Sequence, residues 1–162
     1  MLNTKISVLE SCNCHLHAKC ESTIANLQIM LRNGSDIEVN SGGELYKAFY
    51  AGAEGNQIVF NGVGKTVSEI EYPINSEIKS INVDSEFELE RVIEVTQKLK
   101  KKANVTIRIV PEVSTGVVKG NETGTHESKF GILLDNLEEV IKKAIGCRKE
   151  LNVLGYNFHI GT

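Results

Sequence analysis

Short β-branched runs separated by helical patterns are what most restrict the fold of this chain. The runs are Ile37-Glu38-Val39, Ile58-Val59-Phe60, Ile81-Asn82-Val83, Val105 to Val110 and Leu151 to Ile160. Between them, Leu89, Val92, Ile93, Thr96 and Leu99 recur at the spacing of one helix face. Ser85 followed by Glu88 predicts a capping box at the start of that helix, and Lys100-Lys101-Lys102 suits its negative end. A second helix is predicted from Leu133, Leu137, Val140, Ile141 and Ile145, stopped by Gly146. Shorter patterns cover Ile24 to Leu31, ended by Asn33-Gly34, and Leu45 to Ala51. Strands alternating with helices in this way imply parallel βαβ units, hence an α/β fold. Two architectures satisfy that: an open doubly wound sheet and a (β/α)8 barrel. In both, chemistry gathers where strands end and loops begin.

At 162 residues the chain is long enough for one domain with a real core. Its net charge of −3 predicts no nucleic-acid partner and no anionic membrane surface. No apolar stretch approaches the roughly 20 residues of a bilayer span. The amino-terminal MLNTKISVLES lacks the apolar run and small-residue cleavage site of a signal peptide. The four cysteines are then expected to be reduced thiols in the cytoplasm.

The stretch ESCNCHLHAKCES, residues 10–22, holds five competent zinc ligands: Cys12, Cys14, His15, His17 and Cys20. Their spacing lacks the usual second pair at a distance, so no metal is expected. If residues 12–19 form a strand, Cys12, Cys14, Leu16 and Ala18 share one side. Core packing then explains the cysteines. GVGKT, residues 62–66, looks like a phosphate loop but has Val59 where that motif needs its first glycine. SGGEL, residues 41–45, follows a strand and opens a helix; its glycines suit a ligand or a plain tight turn equally. Residues 111–128 lack periodicity, and a loop that long in a compact domain is usually functional or mobile. Lys19 stands at the end of the first strand, where desolvation would make it a nucleophilic amine. Taken alone, a lysine on an exposed strand face is the simpler reading.

The ordered series SGGELYKAFYAGA, QIVFNGVGKT, SINVDSEFELERV, VTIRIVPEV, ESKFGI and GYNFHIGT adds more. It closely resembles the pyridoxal-phosphate-binding barrel of the diaminopimelate decarboxylases, in the wider group with the ornithine and arginine decarboxylases of alanine-racemase-like fold. The resemblance runs from about Lys19 to Thr162. It implies that Lys19, in HAKCES, carries pyridoxal 5'-phosphate as a Schiff base, and that His159 stacks on its ring. Thr162 stands where the family has a phosphate-binding serine. Glu38 takes the place of an aspartate near the reactive lysine, and Arg108 matches an arginine of the fifth barrel strand. The sequence departs from the pattern at His17, where the family has alanine, at Glu21 for asparagine, and at Gly116 for histidine.

The resemblance therefore implies a partial (β/α)8 barrel over residues 1–162, with about six of eight strands. The family's glycine-rich phosphate loop, the acid facing the pyridine nitrogen and the C-terminal β domain are expected beyond Thr162. The implied reaction is decarboxylation of meso-diaminopimelate to lysine, with a small amino acid as substrate and a homodimer as the full-length family's assembly. Residues 1–162 by themselves are expected to be inactive. The alternatives are a non-catalytic homologue and a portion of an ornithine- or arginine-type decarboxylase.

Overall fold

The computed structural model describes residues 15–18, 22–110 and 130–159. Six strands form one parallel sheet: β1 His15–His17, β2 Asp36–Val39, β3 Ile58–Phe60, β4 Ser80–Val83, β5 Ala103–Ile109 and β6 Leu151–Phe158. Five helices connect them: α1 Ile24–Arg32, α2 Gly42–Tyr50, α3 Val67–Asn75, α4 Glu86–Leu99 and α5 Leu134–Gly146. Every strand pairs with its neighbours in sequence, in the order β1 through β6. A doubly wound sheet reverses its order at a switch point. This one never reverses, which selects the barrel architecture: an arc of six barrel strands with β1 and β6 as its edges.

Register explains why the arc has an oily side and a polar side. Ile37 pairs with Ile58, Phe60 with Ile81, and Val83 with Ile107. These side chains are buried together with Leu27, Leu45, Ala48, Ile70, Leu89, Val92 and Val140 of the helices. Each such aliphatic or aromatic burial contributes about 1.5–3 kcal/mol. Residues of the opposite parity face the concave interior. Barrel interiors are ordinarily filled by Val, Ile and Leu; here the inward positions carry Glu38, Asn61, Asn82, Thr106 and Arg108 beside Val59.

Several elements differ from the sequence reading. Helix α3 carries no apolar pattern long enough to predict it, and Pro73 sits inside it. Thr66 starts it with a capping box, accepting from the Glu69 N–H while the Glu69 side chain accepts from Thr66 N–H. The box expected at Ser85 is only half formed. Ser85 Oγ accepts from Glu88 N–H (3.2 Å), but the Glu88 carboxylate turns to Asp84 N–H (3.0 Å). In α5, Leu133 is the N-cap and Ile145 is exposed, the buried face being Val140 and Ala144. The first strand expected over residues 12–19 is seen at His15–His17, with buried Ala18 after it; Cys12, Cys14 and Cys20 lie outside the described residues. On β6, Leu154, Tyr156 and Phe158 stay about half exposed. Among the described residues, no helix is long and apolar enough to cross a membrane.

Candidate active site

The functional residues converge at the C-terminal ends of β2 to β5, because in-register parallel pairing puts equivalent strand ends side by side. Val39 and Phe60 pair on β2 and β3, so Asn61 comes next to Asn40 one step on. Asn61 N–H donates to the Val39 carbonyl (2.7 Å), and its side-chain amide donates to Glu38 Oε1 (2.5 Å). Asn82 pairs with Thr106, and the Thr106 hydroxyl donates to the Asn82 side-chain carbonyl. Val83 pairs with Ile107, which places Asp84 and Arg108 at adjacent ends. Arg108 pairs in turn with Asn157 of β6.

Arg108 is only 8% exposed. Burial pulls its guanidinium below the ordinary value, and the carboxylates of Asp84 and then Glu38 push back. Its guanidinium carbon lies 5.8 Å from the Phe130 ring centroid. That ring is brought back to the site by the chain itself. Gly131 N–H donates to the Asp84 carbonyl (3.1 Å), Ile132 N–H to the Arg108 carbonyl (2.8 Å), and Val110 N–H to the Ile132 carbonyl (3.0 Å). Gly131 sits at φ +104°, where only glycine is at ease.

Behind β4 stands a second charged group. Lys65 is 2% exposed, and its ammonium donates to both Glu88 oxygens (3.1 and 3.0 Å) and to the Asn82 carbonyl (2.8 Å). Burial pushes the Glu88 carboxyl up to about 7 from 4.5; Lys65 opposes this and Asp84 adds to it. Between pH 4.5 and about 7 the folded chain thus holds a proton that the unfolded chain has lost. The stability that this proton contributes is full below 4.5 and is lost as pH rises through about 7. Urea unfolding of the wild type and Glu88→Gln at a series of pH values checks the sign. The wild type is expected to lose stability relative to the variant as pH rises; a flat difference would refute the raised value.

Of the residues marked out by sequence, Glu38 and Arg108 come together in the interior. His159 follows β6 directly and is exposed. Lys19, Thr162, Glu21 and Gly116 lie outside the described residues, as does the long segment 111–128. His15 and His17 belong to β1, and no group of three potential metal ligands occurs among the described residues. Sequence reasoning missed Asn61, Asp84, Lys65 and Glu88. Their signals were present in NGVGKT and DSEFE, but the first was weighed only as a phosphate loop and the second only as a cap. A cavity of about 340 Å³ lined by Pro73, Glu77, Lys101 and Asn104 opens at the opposite ends of the strands, away from this chemistry.

Four side-chain atoms of the site bear on what it can hold. Asn40 Nδ2, Asn61 Oδ1, Asn82 Nδ2 and Asn157 Oδ1 are buried with no hydrogen-bond partner among the described residues. Buried polar groups are satisfied in nearly all folded proteins, so this interior suits a polar occupant. The model of the pyridoxal-dependent decarboxylases, for their pyridoxal-binding domain, matches residues 3–162. The chain belongs to this family. Diaminopimelate decarboxylase of Vibrio cholerae is 36% identical over 144 residues, covering 89% of this chain and 34% of that protein. The Bacteroides thetaiotaomicron diaminopimelate decarboxylase is 35% identical over 161 residues, covering 99% of this chain and 42% of that protein. In structure, the chain superposes on Helicobacter pylori diaminopimelate decarboxylase complexed with L-lysine with a TM-score of 0.87 at 31% identity, over 93% of this chain and 38% of that one. In fold, the six-stranded arc thus matches part of the barrel of those enzymes. The chain spans about a third to two-fifths of the length of these curated relatives.

Proposed function

We propose that this domain holds pyridoxal 5'-phosphate for the decarboxylation of meso-diaminopimelate to lysine. The observation that carries the reading is the buried polar interior at the strand ends, with Glu38 and Arg108 set among unsatisfied asparagine amides. Lys19 is the residue that would hold the cofactor covalently, Glu38 and Arg108 would line its site, His159 would pack on its ring and Thr162 would meet its phosphate. When bound, the cofactor supplies an electron sink for the carbon that loses its carboxylate. The chain's own part is to orient and to exclude water. Arg108 contributes a cation that stays charged at every working pH. The Asn61 amide donates to Glu38, which holds that carboxylate in one direction. The ring of Phe130 covers the guanidinium on one side. As in the family, a homodimer is the proposed assembly.

The test is lysine formation from meso-diaminopimelate by protein expressed from its whole reading frame, with saturating cofactor and with ornithine and arginine as competing substrates. Preferred turnover of diaminopimelate is the expected result. Cofactor binding without turnover of any of the three would favour the non-catalytic reading, for which the departures at His17 and Glu21 speak. A protein that binds no cofactor would end the proposal.

A further inference from the structure

The lysine of GVGKT is buried behind the site, and both hydrogen-bond partners of its ammonium, the Asn82 carbonyl and the Glu88 carboxylate, lie within residues 82–88. Lys65 grips the Asn82 carbonyl directly, and through Glu88 it grips the Asp84 amide. The two contacts bracket Val83 at the end of β4. Asn82 faces inward and accepts from Thr106; Asp84 stands at the strand end next to Arg108, on which it is the strongest opposing charge, and its carboxyl also meets that of Glu88. Lys65 itself is held by others. Arg91 Nη1 donates to its carbonyl (2.7 Å), and the Phe60 ring centroid lies 5.5 Å from its ammonium.

A charged pair this deeply buried is a poor stabiliser, because desolvation of both groups offsets most of the attraction, pushing the Glu88 carboxyl up to about 7, and apolar residues of equal volume often serve stability as well. Its geometry supplies a different reason for its presence. We propose that Lys65 and Glu88 are positioning residues that clamp the end of β4 and so fix the Asp84 carboxylate against Arg108, setting that guanidinium for an anionic cofactor. The clamp acts through Asp84, whose N–H the Glu88 carboxylate holds. This rests on Arg108 being a cofactor residue, as proposed above.

The experiment uses the full-length protein in four forms: wild type, Asp84→Asn, the double variant Lys65→Met/Glu88→Leu, and the triple combination. The double variant removes both charges at similar volume, so it is expected to fold with a melting temperature close to wild type. A purely structural pair would then leave cofactor affinity untouched. The clamp instead predicts that affinity for pyridoxal phosphate falls by about tenfold in the double variant, and that the same change made on Asp84→Asn adds less than about twofold, since it acts through that residue. Unchanged affinity in the double variant, or equal losses in both backgrounds, would overturn the proposal. A crystal structure of the double variant separates this failure from that of the functional reading. Even if the wild type bound no cofactor, Asp84 found in its native place beside Arg108 would refute the clamp, and Asp84 displaced would uphold it.

Discussion

Replacing Lys19 with alanine in the full-length protein is expected to abolish covalent retention of pyridoxal phosphate. Lysine formation should fall with it, by about a thousandfold or more, since the residue that carries a covalent intermediate is the least replaceable in such a site. The described part of the first strand ends at Ala18, which is buried and whose N–H donates to the Glu38 carbonyl (2.8 Å). Lys19 is the next residue in sequence, and Glu38 belongs to the interior set. Lys65 is the obvious rival, being a fully buried lysine. Its ammonium is already committed to Glu88 and Asn82, and its stem lies behind β4. Borohydride fixation and peptide mapping therefore have a sharp reading. Label on the peptide containing Lys19 is expected, while label on Lys65 in the wild type would move the covalent site to the wrong side of the sheet.

How much of this could be read without coordinates depends on range. The β-branched runs gave five of the strands within a residue or two, because burial on the helix side repeats at strand spacing and leaves a local trace. The helix Glu86–Leu99 was legible for the same reason. The choice between doubly wound sheet and barrel came from the family resemblance alone, since strand order is a pairing between distant segments and no local period records it. Helix α3 was missed because Pro73 breaks its pattern, although Thr66 and Glu69 announce its start. The site divided in the same way. Glu38 and Arg108 were found through resemblance, by wording and not by geometry. Glu88 was assigned to a cap because its spacing from Ser85 fits one; its actual partners come from β4 and from a loop 23 residues away. Nothing in the local sequence could say that a lysine beside two glycines is buried.

Those glycines carry the second large effect. Gly62→Ala is expected to destabilise the domain by on the order of 2–6 kcal/mol, the sum of about 1–3 for overpacking and about 1–3 for a broken buried hydrogen bond. A Cβ at Gly62 would stand 2.1 Å from the Asn40 carbonyl oxygen and 2.7 Å from its carbon. Both obstacles are backbone, so no side chain can swing away to make room. Relief requires β2 and β3 to part just where Asn61 N–H donates to the Val39 carbonyl at 2.7 Å. That movement would also carry Asn40 and Asn61 out of the interior, so cofactor binding should weaken along with stability. Gly43→Ala is the matched control. It lies in the first turn of α2, its nearest neighbour to a new Cβ is Ser41 Oγ at 3.9 Å, and alanine favours a helix over glycine by about 1 kcal/mol. Two glycine-to-alanine changes, one just after β3 and one in the first turn of α2, should thus have opposite signs. Urea unfolding of both variants beside the wild type measures this. If Gly62→Ala proved as stable as Gly43→Ala, the close approach of β2 and β3 would be wrong, and with it the placement of Asn61 against Glu38 on which the site depends.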